Sequence, residues 1–267
     1  MVISKRLAPW LTSAWLTNAC PKHLLLVFLV SMAALAQAPG TGAPLSGDEV
    51  VRRMVARNQQ RAAALHSFRG TRVYRVEYQG FLVNKEAEMV TTIVYQSPDS
   101  KQFTEVSESG SKLLVDRVLR KLLESEQEAS KAENRARTAL NTDNYRFTLT
   151  GYEPAGSGAN YVFEVEPRSS TKFLYRGKIW VDAQDFAVSR MEVEPAKSPS
   201  FWTKKSDISH VYEKVDGFWL PKQNRSVSAI RLGGRAVLTI DYNDYKILDP
   251  VAQQSGGDAG RIAQAAR

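Results

Sequence analysis

Cysteine is nearly missing from this chain and histidine is scarce: one Cys, Cys20, and three His stand among 267 residues. Cys20 precedes an apolar run in a segment expected to be removed, so the mature chain holds no disulfide, thiol nucleophile or thiolate metal site. Bacterial lipoproteins carry their lipidated cysteine after such a run, which argues against lipidation at Cys20. His66 and His210 are the histidines left, far apart and without metal-ligand spacing, and no HExxH helix occurs. A nucleophile elbow, a P-loop, a dinucleotide fingerprint and a tandem repeat are likewise missing. The nearest approach to a catalytic cluster is Asp207-Ile-Ser209-His210. In a strand, Asp207 and Ser209 share one face and His210 points to the other, so they form no local relay. Glu164 and Glu166 alternate with Phe163 and Val165 as the solvated face of a half-buried strand. No catalytic residue, cofactor or metal is expected.

A long apolar run is missing too. Leu24-Leu-Leu-Val-Phe-Leu-Val30, extended by Met32-Ala-Ala-Leu35, falls short of the roughly 20 residues a membrane span needs. Lys22 and His23 precede it and Ala36-Gln37-Ala38 follows with the small-x-small pattern of signal cleavage, so residues 1–38 read as a secretory signal peptide. An uncleaved anchor is the alternative, and the long front end fits a start codon placed too early. Three of the 36 basic residues (Lys5, Arg6, Lys22) and none of the 28 acidic ones lie in this leader, which lowers the net charge from +8 to +5. That excess is dispersed rather than patched, unlike a nucleic-acid footprint. Residues 39–47 read as a linker, and 250–267, rich in Gln, Gly and Ala, as a disordered tail.

Between them, about 210 residues are ample for one core. Ser46-Gly-Asp-Glu49 matches a capping box, and a helix over 48–66 carries Val51, Met54, Val55, Ala62 and Leu65 on one side. Strands follow over 72–78, 88–96 and 101–108. A second helix, 112–131, repeats Leu114, Val115, Val118, Leu119, Leu122 and Leu123 at helical spacing, with Asp116 and Arg120 as an i,i+4 pair. Glu124-Ser-Glu-Gln-Glu128 is expected to end it in solvent. Alternating runs then succeed one another over 145–152, 161–166, 173–182, 186–194, 207–214, 218–222, 225–232 and 235–247, with Gly233-Gly234 as a hairpin turn. With no helical crossover between them, these strands form an antiparallel meander with one greasy face, either a core or a container.

The order helix, strands, amphipathic helix, meander resembles the LolA/LolB-like, RseB-like superfamily of periplasmic lipoprotein carriers. The resemblance rests on Tyr161-Val-Phe-Glu-Val-Glu-Pro167, Gly177-Lys-Ile-Trp-Val-Asp-Ala183, Phe186-Ala-Val-Ser-Arg-Met-Glu-Val193, and Leu238-Thr-Ile-Asp-Tyr242 followed by Tyr245. It spans 48–249. It implies an α+β fold, a strongly curved antiparallel half-barrel sheet with helices covering the concave face. It also implies a periplasmic protein that holds acyl chains of lipoproteins or other lipidated ligands in outer membrane lipoprotein sorting, or a sensor or interaction module on the same scaffold.

On that reading Tyr74, Val76, Tyr78, Phe147, Leu149, Phe163 and Val165 are candidate walls, and Leu114, Val118 and Leu122 are either a lid or ordinary core packing. The arginine with which those carriers hold their lid has no position assignable from the sequence. Phe201 and Trp202, beside Lys204 and Lys205, interrupt the meander as a membrane- or partner-docking tip or as a rim plug. The expected partners are acyl chains and a transient membrane or envelope-protein contact, with no nucleic acid and a monomeric chain.

Overall fold

A computed structural model describes residues 45–98, 100–129, 136–156, 158–171, 173–198, 203–231 and 233–248. The leader, most of the linker, Phe201, Trp202 and the tail lie outside the described residues. The remainder is a ten-stranded antiparallel sheet in the order β3-β2-β1-β10-β9-β8-β7-β6-β5-β4. Its strands are β1 (Ser67–Gln79), β2 (Asn84–Gln96), β3 (Ser100–Gly110), β4 (Tyr145–Ala155), β5 (Gly158–Pro167), β6 (Tyr175–Asp182), β7 (Val188–Pro195), β8 (Thr203–Val215), β9 (Phe218–Ile230) and β10 (Arg235–Ile247). β3 and β4 are its two edges and do not pair, so the barrel stays open. The fold is the α+β curved half-barrel expected.

Two helical segments cover its inner face. Helix α1 (Gly47–Ala64) is capped by Ser46, whose Oγ accepts from the Glu49 N–H at 3.4 Å. It buries Val50, Val51 and Met54 with Tyr161, Phe163 and Val165 of β5, Ile179 and Val181 of β6, and Met191 and Val193 of β7. Each such side chain contributes about 1.5–3 kcal/mol relative to exposure. At its far end Arg61 donates to the carbonyls of Asp185 (2.9 Å) and Phe186 (3.1 Å), fastening α1 to the β6–β7 turn. The second segment begins where Gly110, at φ +84°, turns the chain off the β3 edge. A Cβ there would meet the Glu86 carbonyl oxygen at 2.4 Å. Helix α2 (Lys112–Leu114) runs through a π-helical stretch, Val115–Leu119, into α3 (Arg120–Ala129).

Several expectations fail in detail. Residues 218–222 and 225–232, read as two strands, are the single strand β9. The polar run Lys222-Gln-Asn224 masks the alternation. The β8 register shifts between Val211 and Tyr212, opposite Gln223 and Pro221, so Lys222 bulges out and Asn224 and Ser226 return to the buried face. Lys204 and Lys205 likewise belong to β8 rather than to a loop preceding it.

Candidate functional site

The α2–α3 segment lies over the concave face of β1, β2 and β10. Leu114, Val115, Leu119 and Leu122 are buried in one cluster with Tyr74, Val76, Ala87, Met89, Ile240 and Tyr242, and Val118, Tyr78 and Leu238 pack partly buried against it. The three lid candidates therefore meet Tyr74, Val76 and Tyr78 of the wall candidates. Phe147, Phe163 and Val165 belong to the other cluster, beneath α1. Leu149 is 37% exposed, on β4 just before a register shift at Gly151.

Among the apolar contacts of the second segment sits one ion pair. Arg72 of β1 and Glu126 of α3 are bonded through Nη1 and Oε2, with side chains 4% and 0% exposed. Tyr74 donates its hydroxyl to Glu126 Oε1 at 3.3 Å. The Arg72 guanidinium lies between the rings of Tyr242 (4.8 Å) and Phe103 (5.3 Å). Burial is the largest influence and works against its charge, but the Glu126 carboxylate together with Tyr74, Tyr242 and Tyr245 outweighs it, so the Arg72 pKa stands well above the ordinary arginine value. Glu126 corrects the expectation of a solvated helix end. It is four residues past Leu122 and so faces the sheet. Outside, Arg120 ties the same segment to the β3 edge by pairing with Glu108, with Glu105 at 3.5 Å, and with Asp116 on its own helix.

A cavity of about 90 Å³ opens between the end of α1 and the sheet floor. It lies where β9 and β10 part below the Gln223–Asp241 pair, bridged by the Tyr245 hydroxyl donating to the Pro221 carbonyl at 2.9 Å. Leu65, Phe68, Val188 and Leu220 are among its apolar lining, and Arg72 lines it too. None of the seven wall candidates lines it. Asp185 accepts from Trp219 Nε1 (2.9 Å) and pairs with Lys214 (2.6 Å), fixing the indole at the cavity.

Between the clusters beneath α1 and beneath α2–α3 the floor is polar. His210 of β8 and Asn224 of β9 are register partners with Asn224 Nδ2 at 2.7 Å from His210 Nε2, and Ser206 bonds Ser228 at 2.7 Å. Burial pulls the His210 pKa down to about 4, so the ring is neutral. Asp207 lies on the exposed face, paired with Lys205 at 2.9 Å. Among the described residues no three His, Cys, Asp or Glu side chains stand together as a metal-binding set, and no helix is long and apolar enough to cross a membrane.

Lys205 is level, across the register, with Ala229, Arg235 and Gln79, the end of the sheet at which the β1–β2 turn projects. That turn carries Phe81, Leu82 and Val83, which are 96%, 86% and 49% exposed. Sequence reading passed over it because three apolar residues between two alternating strands look like strand.

No family model matches this chain, and no curated protein does. Solved structures do. A LolA superfamily protein from Nitrosomonas europaea matches 77% of this chain and 94% of its own at 15% identity and a TM-score of 0.35. A DUF1329 family protein from Desulfovibrio piger matches 75% and 92% at 15% identity and 0.38. The MucA/MucB complex of Pseudomonas aeruginosa matches 73% and 92% at 11% identity and 0.25. The structural neighbours thus include the LolA superfamily to which the sequence bears its resemblance. At such identities and scores no residue role passes from them to this chain.

Proposed function

We propose that this protein is a periplasmic binder or carrier of acylated ligands, lipoproteins among them, and that the α2–α3 segment is its lid. The observation that carries the reading is the buried Arg72–Glu126 pair, which pins an apolar helical segment to an apolar floor. An ion pair is a poor way to gain stability in a core, because desolvation offsets most of the attraction. It is a good way to make a contact that either holds or lets go. The π-helical stretch within the segment suits the same role, since such turns interrupt regular helix packing at functional positions.

Leu114, Val115, Leu119 and Leu122 are themselves buried against the floor, and the cavity at the foot of α1 is too small for a chain. A 90 Å³ cavity is smaller than the roughly 150 Å³ that accommodates benzene. Binding therefore requires the lid to lift, and the ligand then replaces Leu114, Leu119 and Leu122 against Tyr74, Val76 and Ile240. Each buried methylene contributes about 0.8 kcal/mol, which offsets the loss of those contacts once the chain is long. Exchange with a bilayer takes place at the end of the sheet bearing Phe81, Leu82 and Val83. Lys85 and Arg235 flank that turn on the neighbouring strands, and Lys204 and Lys205 lie at the same end of the sheet on β8, which favours anionic headgroups.

Native mass spectrometry of the protein purified from the periplasm without detergent tests the reading. A bound mass extractable into organic solvent as an acylated species is expected. An apo mass that persists after incubation with lipids and lipopeptides overturns it.

A further inference from the structure

The cavity at the foot of α1 has a charge pattern of its own. Arg61 from α1, Arg72 from β1 and Lys101 from β3 all line it, and no Asp or Glu does. Arg61 donates to neutral oxygens, the carbonyls of Asp185 and Phe186 and the side chain of Asn58, with the Asp185 and Asp182 carboxylates near enough to act on its charge. Arg72 is committed to Glu126 and Tyr74 through Nη1, yet its Nε is buried and without a hydrogen-bond partner. A buried donor left unmade costs about 1–3 kcal/mol, so an acceptor arriving there gains more than it would on the surface. Around these cations the lining is apolar and aromatic, with Leu65, Phe68 and Leu220 nearest the floor.

We infer that this cavity is a subsite for the anionic head of an amphipathic acyl ligand, an oxygen acid such as a carboxylate or phosphate. The inference rests on the acyl-binding reading and names the ligand class for it. The volume suits a headgroup, while the chain runs on beneath the lid. Arg72 joins the two regions, because the same guanidinium lines the cavity and holds Glu126. An anion at the Arg72 guanidinium competes with Glu126 for one positive charge and loosens the lid as the head arrives, and the unpartnered Nε becomes available as the side chain shifts. The ligand thereby opens the space that its own chain fills, and a neutral lipid lacks this means of entry. Charge-assisted bonds to a guanidinium are about twice as strong as neutral ones, which sets the direction of selectivity.

Isothermal titration of the mature protein with dodecanoate, dodecanol and acetate separates head from chain. Dodecanoate is expected to bind about tenfold or more tighter than dodecanol, a difference of one charge-assisted contact. Acetate alone binds weakly. Lys101→Met, at the half-buried rim, should weaken dodecanoate several-fold and leave dodecanol unchanged. Equal affinity for dodecanoate and dodecanol, or indifference of dodecanoate to Lys101→Met, overturns the subsite while leaving the acyl-binding reading intact. Binding of neither long-chain probe removes that reading together with the subsite. Trp219 fluorescence provides a second readout, because this indole lines the cavity and should respond to dodecanoate and not to dodecanol.

Discussion

Arg72 on β1 and Glu126 on α3 are 54 positions apart in sequence and bonded to each other out of reach of solvent. No other salt bridge among the described residues that joins the helical segment to the sheet is so enclosed. Arg120, which also crosses to the sheet, is 39% exposed and contributes little beyond the 0–1 kcal/mol usual for surface pairs.

Removing one member of the inner pair strands a buried charge. Glu126→Leu alone is expected to cost about 3–5 kcal/mol, read as a lowered urea midpoint at unchanged slope. Arg72→Met combined with Glu126→Leu should return to within about 1–2 kcal/mol of wild type, since apolar replacements of a buried pair are close to neutral. If the double variant is as unstable as the sum of the singles, the pair is not an isolated tie.

His210 gives the fold a pH dependence of known sign. Its pKa is about 4 when folded, below the unfolded value near 6.5, so only the unfolded chain takes up a proton between these limits. Stability is therefore full above about pH 6.5 and falls as pH drops toward 4, by about 3 kcal/mol from this residue. His210→Gln keeps a partner for Asn224 and removes the titration. Its stability should decline less than that of wild type between pH 7 and 4, and parallel curves would exclude His210 as the cause.

The Phe81-Leu-Val83 turn is a surface prediction independent of the lid. Phe81→Ser with Leu82→Ser should abolish sedimentation with anionic vesicles and leave the urea midpoint unchanged, because both side chains are almost fully exposed. Vesicle binding that survives in this variant moves the docking surface elsewhere. Binding that is equal on zwitterionic vesicles removes the role of Lys85, Lys204, Lys205 and Arg235.

Period-two and period-3.6 patterns made most of the architecture readable in advance. Tyr161, Phe163 and Val165 alternate strictly and are all buried beneath α1, and the leucine stripe of 112–131 faces β1 and β10 as its spacing requires. The polar members of the same faces were harder to see. Arg72 shares the parity of Tyr74 and Val76, and Glu126 shares the helical face of Leu119 and Leu122, so both signals were present. Their charge argued for solvent, and only the pairing across 54 residues reconciles it with burial. The buried but polar Asn224 broke β9 in two for the same reason. The cavity was not legible at all, because α1, β1, β3 and β9 meet there from distant parts of the chain.

Cross-linking with a photoreactive fatty acid, followed by peptide mapping, tests the central claim most directly. Adducts are predicted on the floor at Tyr74, Val76 and Ile240 and on the lid at Leu119 and Leu122. Adducts confined to the solvent-facing side of the sheet, or a chain that captures no label, would contradict the account of a lidded acyl site.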